Sequence, residues 1–199
     1  MRTVWGFVLA LLLFAGRADV AVADPVSQDD RQRLLAHLEM TGSWLASELD
    51  TLSDAQLRYK PTPESWSIMD VVEHLAIAEP QYWKQLQDSL KTPIVDKPSE
   101  ATDAGILWYG IDRTRRQRTG EARVPHGRFT DVRLSLAEFQ KLRQTMTAYA
   151  RDTTDDLRGR RLLEGNMSVY QWFLMISTHA QRHILQIREI KADAKYPGS

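Results

Sequence analysis

The 199-residue chain contains no cysteine. That excludes disulfides, thiolate metal ligands and a cysteine nucleophile. Packing alone, helped at most by a metal, must hold the fold, and any metal site has to be built from histidine and carboxylate. Excess charge is absent too: 26 Lys+Arg stand against 26 Asp+Glu, so neither nucleic acid nor an anionic membrane surface is indicated. No apolar run reaches the roughly 20 residues that span a bilayer. Nor does any stretch alternate long enough to demand a strand, and there is no internal repeat or low-complexity tract. What remains is 43% hydrophobic and 26% charged, enough apolar material for the core of one soluble domain.

The first residues differ from the rest. MRTVWGFVLALLLFAGRADVAVADP has a basic Arg2, an apolar run from Val4 to Ala15, and Ala21-Val22-Ala23 ahead of Asp24. This small-x-small pattern marks a secretory signal peptide over residues 1–23, cut after Ala23, the alternative being an uncleaved N-terminal anchor, for which the apolar run is short. The mature chain 24–199 then carries 24 bases and 25 acids, having lost Arg2, Arg17 and Asp19. The expected location is secreted or periplasmic, with no stable membrane span after cleavage.

The mature chain shows the pattern Ser-x-x-acid/Gln at Ser27/Asp30, Ser67/Asp70, Ser135/Glu138 and Ser168/Gln171, with Ser53/Gln56 as the start of one short extra turn. In this capping box the serine oxygen and the third side chain each satisfy a free backbone N–H at a helix start. Each box precedes apolar residues at spacings of three and four. The expected helices run from Ser27 to Asp50, Ser67 to about Leu90, Ser135 to about Leu157, and Ser168 to about Ala194. Trp66 with Val71, Leu134 with Phe139, and Met167 with Trp172 would staple the last three starts. Four amphipathic helices predict an all-α, up-and-down four-helix bundle. Between the second and third lies a long connection, 91–133, broken by Pro93, Pro98, Pro125 and four glycines. Within it GILWYGIDRTRRQR is expected as a short helix. Connections of this length are usually functional or disordered.

Histidine is scarce, five residues in all, so its placement matters. His179 and His183 stand four apart on the fourth helix, within the sector that carries Val169, Phe173, Ala180 and Ile187. At ~100° per residue both point inward and can reach one ion. The spacing alone leaves a hydrogen-bonded core pair open, although two buried imidazoles have four nitrogens to satisfy. His74, on the second helix, is the natural third ligand, near the edge of that helix's stripe. Glu79 falls on the stripe and could accept from a ligand N–H, serve as a fourth ligand, orient a ligand or shuttle a proton as the catalytic carboxylate. The plainer alternative is a solvated carboxylate beside Pro80, where a kink is expected. His37 reads as half-buried surface and His126 as a solvated loop residue.

WSIMDVVEHLAIAE, followed about 100 residues later by HAQRHILQIREIK, resembles the DinB-like superfamily of metal-binding four-helix bundles. Trp66-Ser67 opening helix 2, His74 upon it, His179 with His183, and Gln186-Ile187 carry the likeness, which extends from about Ser27 to Tyr196. The resemblance implies one divalent ion, zinc or nickel, held by His74, His179 and His183 with positions left open. Its known relatives include thiol-dependent transferases and a thiol-dependent isomerase, and they often form homodimers. An export leader sets this chain apart from the cytoplasmic members.

Two functions follow. The first is an exported metal-dependent hydrolase or thiol transferase acting on a small-molecule substrate, anionic or thiol, with water or an exogenous thiol as nucleophile. The second is a non-catalytic metal-binding or stress-related envelope module. The cluster Trp108, Tyr109, Arg113 and Arg115 could close over the site and hold an anion, although a solvated basic helix is the favoured reading. No nucleic-acid partner is expected.

Overall fold

The computed structural model describes residues 26–95, 99–163 and 166–198. The expected leader, residues 1–23, lies outside the described residues. Among the described residues six α-helices form: α1 (Gln28–Leu49), α2 (Asp54–Arg58), α3 (Ile68–Ser89), α4 (Asp103–Ile111), α5 (Val132–Asp152) and α6 (Val169–Lys191), with one 3₁₀ turn at Glu121–Arg123. Among the described residues β structure is limited to two isolated bridges, Ile94 with Arg160 and Arg161 with Ser168. None of these helices is long and apolar enough to cross a membrane.

Three of the expected starts are built by reciprocal capping boxes, at Ser53/Gln56, Ser67/Asp70 and Ser168/Gln171. At Ser27 the hydroxyl accepts from the Asp30 N–H. The fifth helix is a correction. Asp131, not Ser135, caps α5, its carboxylate accepting from the Arg133 N–H at 2.8 Å. The helix therefore begins at Val132, one turn early, because an aspartate cap with an apolar Val132 behind it is already sufficient. Ser135 becomes a buried helical residue whose hydroxyl has no partner among the described residues, and Leu134 is exposed rather than stapled. The helix also stops earlier, at Thr153 in extended conformation, leaving Leu157 buried beyond its end. α3 runs unbroken through Pro80.

α1, α3, α5 and α6 make the four-helix bundle. Their apolar residues form two buried clusters, one at each end. The first joins Leu34 and Leu38 of α1 to Trp83 and Leu86 of α3, Met146 and Ala150 of α5, and Phe173 of α6. The second joins Leu45 and Leu49 to Ile68 and Val71, Val132 and Phe139, and Ile184 and Ile187. These memberships fix the directions: if α1 runs up, α3 and α5 run down and α6 runs up. Strict alternation is thus interrupted once. The long 90–131 connection is the reason, since it climbs the full height of the bundle and returns the chain to the end where α3 began. α1 packs on α5 and α6, and α3 packs on the same two. Consecutive helices α1 and α3 are therefore diagonal.

α4 lies against α6. Two sets of contacts clamp it. At its start the Arg158 guanidinium bridges Asp103 and Asp30, at N···O distances of 2.7–3.0 Å. At its end the buried Arg182 of α6 donates to the carbonyls of Tyr109, Asp112 and Arg115. Gly110 permits the close approach: a Cβ there would sit 2.8 Å from Gln181 Oε1 and 3.0 Å from Thr178. The clamped helix walls a cavity over α3 and α6.

Candidate metal centre

The Ser67 box starts α3 two turns before His74, and the Ser168 box starts α6 three turns before His179. The antiparallel packing of these helices brings the three imidazoles together. His74 Nε2 lies 3.3 Å from His179 Nε2, and His183 Nε2 lies 3.2 Å from the same atom. All three candidate ligand atoms fall within 4.8 Å of one another. His74 and His179 are buried, and His183 is partly exposed to the cavity. Expected at the edge of its stripe, His74 is only 1% exposed, because the loop at Glu121–Arg123 covers it.

The remaining ring nitrogens decide the protonation. His74 Nδ1 is 2.7 Å from the Arg123 carbonyl, which can only accept, so that nitrogen carries the proton and Nε2 presents a lone pair. His183 Nδ1 likewise donates to Gln186 Oε1 at 2.9 Å. His179 Nε2 therefore faces two lone pairs and has one proton to offer, while its buried Nδ1 has no partner among the described residues. Burial holds all three imidazoles neutral, the first cause in each case. His183 is pushed down to about 3, His179 well below the ordinary histidine range, and His74 below it. Three neutral nitrogens converging with too few protons to pair them is a frustrated arrangement for protein alone and a fitting one for a divalent cation.

Aromatic rings wall the site. Trp66, the residue before the α3 cap, is stacked at 18° on His183 with ring centroids 6.1 Å apart, and its centroid is 4.9 Å from that of His74. Tyr82 meets His179 edge-on at 5.2 Å. The site opens into a cavity of about 510 Å³ lined also by Tyr109, Arg113, Arg123 and Arg182. Burial raises the Tyr82 and Tyr109 phenols, so both stay protonated and able to donate. Tyr109 and Arg113 of the basic cluster thus face the cavity, whereas Trp108 points out, 63% exposed.

Glu79 is not with the histidines. It is completely buried, and both carboxylate oxygens are taken by Arg143: Nε donates to Oε2 at 2.7 Å and Nη2 to Oε1. Arg143 also donates to Thr41 at 3.0 Å and lies over the Phe139 ring. The expectation of a ligand or proton shuttle at Glu79 is not met by this geometry, since the carboxylate stands outside the group of three histidines and each of its oxygens bonds Arg143. Burial pushes its carboxyl up and Arg143 pulls it back. His37 is half-buried against Ser177, and His126 is exposed. The sequence reading passed over Glu73, which is buried and accepts the backbone N–H groups of His126 and Arg128 at 2.9 and 3.0 Å. It ties down the loop that presents the Arg123 carbonyl to His74. Its place immediately before His74 was the available signal.

The model of the DinB superfamily matches residues 29–187. The chain belongs to the DinB superfamily. It is 28% identical over 148 residues to the uncharacterized protein YuaE of Bacillus subtilis (strain 168), covering 73% of this chain and 89% of that protein. Its fold is similar to that of YfiT from Bacillus subtilis, described as a probable metal-dependent hydrolase with an unusual four-helix bundle topology. The TM-score is 0.59 at 20% identity, covering 86% of this chain and 91% of the other.

Proposed function

We propose that His74, His179 and His183 bind one divalent ion, zinc or nickel, and that the protein is a metal-dependent hydrolase acting on a small molecule in the adjoining cavity. The observation that carries this is the convergence of three neutral Nε2 atoms at the floor of an accessible, aromatic-walled cavity. Three protein ligands with room for a fourth partner is the layout of catalytic rather than closed structural sites. A divalent ion so held supplies Lewis acidity toward a substrate carbonyl or phosphoryl group and toward water. The chain's own residues do the rest. The Arg123 carbonyl and Gln186 fix the two ring orientations, and Trp66 and Tyr82 keep bulk water off the imidazoles. The protonated Tyr82 and Tyr109 phenols are placed to donate to a leaving group. The description of YfiT as a probable metal-dependent hydrolase supports the same reading. The leader at residues 1–23 supports action outside the cytoplasm, which N-terminal sequencing of the secreted or periplasmic protein would test.

The test is hydrolysis of p-nitrophenyl esters and phosphates by metal-stripped protein with zinc or nickel restored. Turnover should return with the metal and drop by at least about a hundredfold in His179→Ala, since such an ion supplies several kcal/mol. Equal rates with and without metal would rule the reading out.

A further inference from the structure

The cavity beside the three histidines is lined by five arginines, Arg113, Arg116, Arg118, Arg123 and Arg182. Among the described residues its carboxylates are Glu64, Glu189 and Asp193. That is an excess of two positive charges, which a divalent ion would raise to four. The acids are also spoken for unevenly. Glu189 gives both oxygens to Arg113, at 2.9 and 2.8 Å, and Asp193 accepts from the Tyr59 hydroxyl at 2.6 Å. Among the described residues no carboxylate lies within ion-pair distance of Arg116, Arg118, Arg123 or Arg182.

Two of these cations are held in place. Arg182 is only 4% exposed. It lies over the Tyr109 ring at 4.9 Å and is solvated by three carbonyls, while Glu189 and Asp112 feel its charge from beyond ion-pair distance. Arg123 is half-buried, its guanidinium 5.4 Å from the centre of the Tyr82 ring, and its own carbonyl bonds His74. The other face of that environment is the histidine cluster, since Tyr82 meets His179. Fixed guanidinium charges beside a cation site oppose the cation. An anion bound between them would offset both charges.

We propose that the cavity is an oxyanion site: its ligand carries a carboxylate or phosphate group taken up by the Arg123 guanidinium, with Arg182 as the buried charge behind it, and this anion tightens the hold of the histidines on their ion. The last part rests on the metal reading above, and the first part does not. A planar guanidinium matches either oxyanion with paired N–H donors. Because coupling between two ligands is reciprocal, the metal also tightens the anion by the same factor.

Methylphosphonate and succinate, representing the phosphate and carboxylate sources, are titrated calorimetrically into the metal-free protein and into protein loaded with zinc. Arg123→Gln, Arg123→Lys and the distant surface variant Arg151→Gln are compared, with circular dichroism to confirm folding. At least one anion should bind. Arg123→Gln should weaken it by about tenfold or more, the usual worth of a hydrogen bond to a charged group. Arg123→Lys should restore part of the loss, and Arg151→Gln should change nothing. With a saturating anion, zinc should bind wild type about tenfold more tightly and Arg123→Gln no more than twofold. Binding of one probe alone identifies the source. The proposal is overturned if neither anion binds metal-free or zinc-loaded protein, or if Arg123→Gln binds as well as wild type. Failure of the metal reading shows separately, as zinc affinity unaltered in His179→Ala, and the metal-free arm still decides the anion site.

Discussion

Replacing Glu79 by glutamine separates a structural role from a chemical one. The Glu79 side chain has no exposure and that of Arg143 has 6%. The ion pair is therefore desolvated, and its two contacts together with the Arg143–Thr41 bond at 3.0 Å tie α3, α5 and α1 at mid-bundle. Glu79→Gln keeps one acceptor but leaves the guanidinium charge uncompensated in the core. Breaking a buried pair from one side costs about 3–5 kcal/mol. With a urea m-value of roughly 2 kcal/mol/M for a domain of this size, the unfolding midpoint should fall by about 1.5–2.5 M. The double variant Glu79→Leu with Arg143→Met removes both charges and should recover most of that loss, because apolar replacement of a buried pair is often neutral. Zinc affinity in Glu79→Gln should stay within about threefold of wild type, since neither oxygen is aimed at the histidines. A Glu79→Gln protein as stable as wild type, or a double variant no better than the single ones, would refute the reasoning. Loss of metal at unchanged stability would return Glu79 to the site.

Acid should destabilise the metal-free protein. His183 has its folded pKa pushed down to about 3, chiefly by burial and then by the neighbouring His74, so below its ordinary 6.5 the unfolded chain takes up a proton that the folded one refuses. Stability is therefore flat above pH 6.5 and falls as pH drops toward 3, by at most about 2 kcal/mol for this imidazole at pH 5; His74 and His37 act in the same direction, and urea curves equal at pH 5 and 7 would contradict it. Gly110→Ala should cost about 1–3 kcal/mol by overpacking α4 against Gln181 and Thr178, read as a lower melting temperature; a neutral result would mean that α4 is not seated so closely. Asp131→Ala should cost about 1 kcal/mol as a lost cap, while Ser135→Ala should be neutral or stabilising because its buried hydroxyl has no partner among the described residues. The reverse order in denaturant melts would place the start of α5 at Ser135 after all.

The parts of the fold that local chemistry determines were legible. Ser53, Ser67 and Ser168 mark helix starts because a capping box is a contact between residues three apart. His74, His179 and His183 stood out because imidazoles on inward faces are scarce. Ser135 misled for the same local reason: the box is present in the sequence, but Asp131 one turn earlier caps first. That α3 and α5 run in the same direction depends on how far the long connection travels, which no periodicity records. The Glu79–Arg143 pairing was not legible because Arg143 stands 64 positions away on another helix. The arginine rim needed the loop geometry, since Arg113 is neutralised by Glu189, 76 residues on, while Arg123 is not.

The central claim is that three imidazoles hold one ion. Elemental analysis of purified protein after equilibration with zinc, joined to zinc K-edge absorption on the same sample, tests it most directly. One zinc per chain with three histidine nitrogens near 2.0–2.1 Å is the predicted result, falling to less than about a tenth of a zinc per chain in the His74/His179/His183 triple alanine variant. A full equivalent of zinc retained by that variant, or a zinc environment without three imidazoles in the wild type, would contradict the account.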